Sequence, residues 1–354
     1  MPELIVTNFN RNFTGVSATA ASVIRRQAAH FDLRLAGHPL PGCPAPVSRA
    51  QAIRDSRTPA PGRAFTIWHV RRNPEMRAAL WARDVLRLPV RVVFTSAAQR
   101  YHSTLPRWLI ARMDAVIATT ERAAAFVPHV RAVVPHGVDT ENFTPAPDRA
   151  AAWAATGFPG RAGVATIGRI RPEKGTDRFV DAMLRLLPDH PGLTALVIGR
   201  AARPDRAFLA DLQARIAAAG LSDRILFPGE VAPQALPALM RALSAVVQLP
   251  RYEGYGMTPL EGMASGVPFV GTDAGYYRRF TQDGAAGTIV APDDAEATAG
   301  AVDALLGDKA RLAAVSRAAR AVAESTFSAE AEAAGIARVY DDLWAEGRDA
   351  RVRS

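Results

Sequence analysis

Short apolar runs alternate along the chain with longer stretches whose apolar residues recur every three or four positions. In the first third, LIVTNF (4–9), FTIWHV (65–70), RVVFTS (91–96), AVIATT (115–120) and RAVVPHG (131–137) are strand-sized and rich in Val, Ile or Phe. VSATAASVIRRQAAHF (16–31) has the longer period and predicts a helix. Residues 36–62 are rich in Pro and Gly and are expected to be loop. A second Pro-containing stretch, FTPAPDRAAAWAATGFPGR (143–161), carries one short helix and is expected to connect two domains. The alternation then restarts. GVATIGRI, TALVIGRA, RILFPGEV, AVVQLP, VPFVGT and GTIVAP predict strands, with helical stretches such as TDRFVDAMLRLLP and RAFLADLQARIAAAG between them. Strands separated by helix-length segments build parallel β/α units. The expected fold class is therefore α/β, with two doubly wound domains at 1–146 and 147–327. A final amphipathic helix and tail at 328–354 are expected to pack across both domains.

Length and composition agree with this division. The chain has 354 residues, more than one ordinary core accommodates, and 49% of them are hydrophobic. No run approaches the ~20 apolar residues of a membrane-spanning helix. MPELIVTNFNRNF lacks the basic-then-apolar order of a signal peptide and predicts a first strand. Cys43 is the single cysteine, so an internal disulfide is excluded and a cytoplasmic setting is expected. The net charge is +9. Of 43 basic residues only Lys174 and Lys309 are lysine, the usage of a GC-rich genome. The arginines are dispersed, where a nucleic-acid face would cluster them, so no nucleic-acid partner is expected. Against this bias toward arginine, Lys174 stands out.

The chemistry concentrates in two stretches. In RYEGYGMTPLEG (251–262), a strand ends at Pro250 and a helix is expected to begin near Thr258. Thr258 as cap, Pro259 in the first turn and Glu261 would form a capping box. The same residues have a second reading. Gly254 and Gly256 leave backbone N–H groups bare ahead of a helix N-terminus, which suits a phosphate or sugar oxygen. Glu253 and Glu261, one on each side, can accept hydrogen bonds from hydroxyls. A ligand with an anionic centre and hydroxyls at both ends matches a sugar diphosphonucleoside. In GRIRPEKGTD (168–177), Arg169 and Lys174 follow a strand and precede a helix that Thr176 or Asp177 would cap. They stand at the carboxyl end of a strand, where open α/β sheets bind ligands. A point charge and a planar fork together suit a diphosphate.

Taken together, these stretches resemble the retaining glycosyltransferases of family 4, which have the GT-B fold. The E-x7-E pattern is Glu253 and Glu261, GRIRPEKGTD resembles the family's arginine–lysine loop, and VPHGVDTENF (134–143) resembles its hinge signature. The resemblance implies two Rossmann-like domains facing a cleft, closing over the donor, with the C-terminal helix crossing back. It implies that Arg169 and Lys174 hold the diphosphate and stabilise it as it leaves. Glu261 would hold the ribose hydroxyls and Glu253 would sit by the transferred sugar. Backbone groups of Gly256, Met257 and Thr258 would touch sugar or phosphate, with Gly254 beside them. Gly15, in NFTGVSAT, would belong to a glycine loop beneath the diphosphate. Many relatives place a histidine after a strand like RVVFTS; here the candidates on the acceptor side are His69, Arg100 and His102. The hinge carries His136 where Asn is common in the family.

IWHVRRNPEM, VFTSAAQRYHS and RWLIARMDAVIATT further resemble the alphaproteobacterial lipopolysaccharide-core mannosyltransferases. That likeness implies GDP-mannose as donor and the Kdo–lipid A inner core as acceptor, with retention at the anomeric carbon. With no Asp-x-Asp motif present, Arg169 and Lys174 would take the place of a metal, and neither metal nor cofactor is expected. Arg100, Arg107, Trp108, Leu109, Ile110, Arg112 and Met113 mix basic and apolar side chains. They suggest either a face resting on the cytoplasmic side of the inner membrane or an ordinary amphipathic helix. The alternatives are a related enzyme using a UDP-sugar, a nucleotide-sugar epimerase or phosphorylase of similar fold, and a basic binding protein without activity.

Overall fold

The computed structural model describes residues 1–12 and 14–352, with side chains through residue 347. The chain divides into two compact units. Unit 1 is 1–137 together with 328–354, and unit 2 is 138–327. The first division thus falls before the expected 146/147. The 143–161 stretch is no connector but part of unit 2. Its helix, Arg149–Ala154, is capped by the Asp148 carboxylate, which accepts from the N–H groups of Ala150 and Ala151. Trp153 of that helix is buried in the unit 2 core, so close over Gly163 that a Cβ there would stand 2.0 Å from the indole.

Among the described residues unit 1 contains six parallel strands: β1 (Leu4–Asn8), β2 (Leu33–Gly37), β3 (Thr66–Val70), β4 (Val90–Ser96), β5 (Ala115–Ala118) and β6 (Val130–Val133). Their order in the sheet is β2-β1-β3-β4-β5-β6. β2 was not expected. It is an edge strand interrupted by Arg34, which leaves too short an apolar run to register. The 36–62 segment is not all loop, because Arg49–Asp55 is helical, with Ser48 as its cap. The long helix Ala329–Val352 belongs to unit 1. Ile336, Val339, Tyr340, Leu343 and Trp344 from it join one core with Leu4, Ile67 and Val93 of the sheet. The helix thus crosses back to complete the first unit, as the resemblance implies, and Arg348 with the tail beyond it lies outside the described side chains.

Unit 2 contains β7 (Ala162–Ile167), β8 (Leu193–Ile198), β9 (Ile225–Gly229), β10 (Ala245–Gln248), β11 (Phe269–Thr272) and β12 (Gly287–Val290). They are ordered β12-β11-β10-β7-β8-β9, and every pairing is parallel. Two hydrophobic clusters, one on each face, cover the sheet. This is why β8 and β10 read as continuous apolar runs rather than alternating ones. The order runs one way from β7 through β8 to β9 and the other way from β10 through β11 to β12. The switch point therefore lies between β7 and β10, and a crevice at their carboxyl ends is where such a sheet takes a ligand. Arg169 follows β7 and Glu253 follows β10, so chain topology alone brings the two sequence stretches together.

Candidate active site

The loops after β7 and β10 are strapped to each other. Arg251 reaches back with a two-pronged contact to Asp177, Nη1 to Oδ1 at 2.9 Å and Nη2 to Oδ2 at 2.7 Å, while its own N–H donates to Glu173 O at 2.9 Å. Partial burial would raise the Asp177 carboxyl pKa, but the Arg251 fork holds it below the usual range. Gln248 Nε2 donates to Ile167 O at 3.1 Å, joining the strand ends themselves. Gly175 completes the fit. Its φ is +69° and a Cβ would stand 1.8 Å from Leu249 O, so no other residue fits between the loops. Neither Thr176 nor Asp177 caps the following helix. Gly175 holds that position in a left-handed conformation with no side-chain cap.

On this strap stand the expected cations. The Lys174 ammonium pairs with Glu253 Oε2 at 2.5 Å, and both side chains are partly open to solvent. Arg169 is exposed and lines one depression with Lys174, Thr166, Val197 and Gln248. Among the described residues it has no ion pair, so its fork is open to a ligand. Glu253 Oε1 accepts from Gly254 N–H at 3.0 Å. That corrects one expectation: the Gly254 N–H is already engaged. Gly256 remains, with φ +107° and a hypothetical Cβ 2.0 Å from Tyr277 Cε1. Tyr277 thus floors the loop. Burial first, and then the Glu253 charge, push its phenol pKa well above the usual value and keep it neutral.

The helix after this loop is Met257–Ala264, with Gly256 as its cap residue. It starts earlier than expected, so Thr258 is not a cap and no capping box involves Glu261. The N–H groups of Met257 and Thr258 fall in the first turn, where no intrahelical acceptor exists. Glu261 is half-buried, and among the described residues its carboxylate has no hydrogen-bond or ion-pair partner. Desolvation alone raises its pKa to about 7. A carboxylate without a protein partner can accept hydrogen bonds from hydroxyls. Among the described residues no group of three or more His, Cys, Asp and Glu side chains is placed to hold a metal ion.

Comparison with known proteins agrees. Residues 154–322 match the family described as glycosyl transferases group 1. The lipopolysaccharide core biosynthesis mannosyltransferase LpsB of Rhizobium meliloti (strain 1021) is 43% identical over 96% of this chain and 97% of its own. The chain belongs to the group 1 glycosyltransferases. LpcC of Rhizobium leguminosarum bv. viciae, likewise described as a lipopolysaccharide core biosynthesis mannosyltransferase, is 41% identical over 98% of both chains. Among solved structures, the C-terminal domain of a group 1 glycosyltransferase (LpcC) from Francisella tularensis is 33% identical, covers 54% of this chain and 99% of its own, and has a TM-score of 0.53. HepE of Anabaena, in complex with UDP and glucose, covers 97% of this chain and 100% of its own at a TM-score of 0.80. At 17% identity that likeness speaks for the fold alone, which is GT-B.

The other candidates of this glycosyltransferase lie in unit 1. Gly15 opens the helix Gly15–Gln27, with an ordinary φ and open space around it, while Phe13 in the same stretch lies outside the described residues. His69 is removed from the acceptor-side group. It is fully buried, one ring nitrogen meets the Tyr340 hydroxyl, and the other meets Thr95 Oγ1 at 2.7 Å. Desolvation and then Arg71 keep its pKa well below the usual value, so it is a neutral core residue. Arg100 is exposed, and His102 is half-buried with its Nε2 shut from solvent and unpartnered. His136 is held by Glu332, Nδ1 to Oε1 at 2.8 Å, and Gly137 N–H donates to the second oxygen at 2.8 Å. Leu109, Ile110 and Met113 point into the core and leave the basic–apolar face. That face is instead Trp108, Leu105, Arg107 and Arg112 joined by Trp81 and Val85, with the Arg112 guanidinium 5.0 Å over the Trp108 ring.

Proposed function

We propose that this enzyme transfers mannose from GDP-mannose to the Kdo–lipid A inner core of lipopolysaccharide, with retention at the anomeric carbon. The observation that carries the reaction class is the Lys174–Glu253 pair beside the open fork of Arg169, at the switch point of unit 2. The sugar and the acceptor are supported by full-length likeness to two relatives described as lipopolysaccharide core mannosyltransferases.

In this reading the donor diphosphate lies over Arg169 and Lys174, with the N–H groups of Gly256, Met257 and Thr258 toward its oxygens. Glu261 accepts from the ribose hydroxyls. Glu253 orients Lys174 and faces the sugar. The acceptor hydroxyl attacks the anomeric carbon on the face the diphosphate leaves, the carbon–oxygen bond to phosphate breaks, and the departing phosphate oxygen takes the hydroxyl proton. The protein contributes position and charge stabilisation. Two fixed cations on the leaving group make the reaction metal-independent, so EDTA leaves turnover unchanged, whereas loss of turnover restored by magnesium or manganese contradicts this part.

The exposed Trp81, Trp108, Val85 and Leu105, ringed by arginines, rest on the anionic cytoplasmic face of the inner membrane, where the lipid acceptor is found. No described helix is long and apolar enough to cross a membrane. The donor assignment is tested by titrating the chain with GDP and with UDP. Tighter binding of GDP, weakened by Lys174→Ala, supports the proposal. Preference for UDP transfers the same site to a UDP-sugar enzyme.

A further inference from the structure

The sheet of unit 1 also has a switch point, because β1 pairs with both β2 and β3. Arg71 is the first residue beyond β3, at that crevice. It is only 9% exposed, and its guanidinium has no hydrogen bond or ion pair with any described residue; Nη1 is entirely shut from solvent.

The neighbouring carboxylates do not satisfy it, because each is already engaged. Glu75 accepts from the N–H groups of Phe9, Arg71 and Arg72 and from the Arg72 side chain. Glu332 accepts from His136 and Gly137. Arg72, by contrast, is fully used, bonding Asn8, Thr14 and Ser17 besides Glu75. At the ends of the next strands, the hydroxyls of Ser96 and Thr119 are also buried without partners, 2% and 0% exposed. Register and alternation put Arg71 and Thr119 on the sheet face shared by His69 and Thr95. Two orphaned polar groups on one face at one end of one sheet, one of them a buried cation, amount to an incomplete site rather than a packing accident.

We infer that Arg71 is the anchor of an oxyanion subsite at the carboxyl end of the unit 1 sheet, with Thr119 donating beside it, and that it seats an acidic group of the acceptor. A guanidinium fork matches a carboxylate or a phosphate. The identity of the anion rests on the acceptor reading above, where Kdo carries a carboxylate and lipid A carries phosphate; the existence of the subsite does not.

The test is isothermal titration of the full chain carrying Arg169→Ala and Lys174→Ala, so that the donor-side cations cannot answer. The probes are free Kdo, carboxyl-reduced Kdo and inorganic phosphate. Binding of Kdo but not of its reduced form assigns the carboxylate, and binding of phosphate assigns a phosphate. In either case Arg71→Met raises Kd at least tenfold, and the near-isosteric Thr119→Val, which leaves the cation and the fold in place, raises it at least threefold. Absence of binding by both anions, or an unchanged Kd in Thr119→Val and in any folded Arg71→Met, overturns the subsite. None of these isotherms requires sugar transfer. A wild-type chain that binds anion through Arg71 yet transfers no mannose retires the transfer reading and keeps the subsite.

Discussion

Lys174 was legible because it resists the chain's own arginine bias, and the structure gives that resistance a partner in Glu253. Removing one preorganised cation from a leaving group slows such chemistry by roughly 10²–10³-fold. Lys174→Ala is expected to lose that much in kcat with little change in melting temperature, since the pair is partly exposed. A wild-type rate removes Lys174 from the site. Glu261 was legible as a residue but not as an environment. The helix starts at Met257 behind a left-handed Gly256, and no spacing rule announces that the carboxylate will be left alone. Its folded pKa of about 7 lies above the ordinary carboxyl value of 4.5, so the folded state holds the extra proton across that window. Stability is therefore present below pH 4.5 and falls as pH rises toward 7, and Glu261→Gln removes that slope in urea unfolding at pH 5 and pH 8. Donor binding runs the other way. It tightens as the carboxylate forms, and the Gln variant is flat in nucleotide titrations over the same range. His69 shows the opposite failure. Its place after a strand suggested a site, but burial by Tyr340, more than 200 positions away in the chain, decided otherwise.

At the scale of elements, most strands were legible because both faces of each sheet are covered and the strands run apolar throughout. The exception, β2, is an edge strand carrying Arg34. The strap between the loops after β7 and β10 was not legible, because the Arg251–Asp177 fork joins residues brought near only by the β7–β10 pairing. Two glycines separate structural from ligand-facing need. Gly256→Ala forces a side chain into the Tyr277 ring at positive φ, and the strain costs about 1–3 kcal/mol in denaturant unfolding together with nucleotide binding. Gly15→Ala meets no neighbour and no positive φ, so stability is expected to hold or rise slightly while transfer falls. Equal transfer by Gly15→Ala and wild type places Gly15 outside the site.

Over the whole molecule, the division into two α/β units followed from the restart of alternation after residue 161, but its bounds did not. The short helix Arg149–Ala154 looked like linker because its neighbours are Pro and Gly, while its one large residue, Trp153, is core. The last helix completes unit 1, since its Tyr340 and Trp344 are buried against the strands of Leu4, Ile67 and Val93 from the start of the chain. Truncation after Phe327 is therefore expected to unfold unit 1, while a 138–327 fragment keeps a cooperative thermal transition and binds nucleotide. A cooperative two-unit melt from the truncated chain contradicts this division.

Transfer of a hexose changes the mass of the acceptor. The full chain is incubated with Kdo–lipid A and GDP-mannose, with UDP-sugars as controls, and the lipid is read by mass spectrometry. One hexose is expected from GDP-mannose alone, and none with Lys174→Ala. Addition from a UDP-sugar and not from GDP-mannose contradicts mannose transfer.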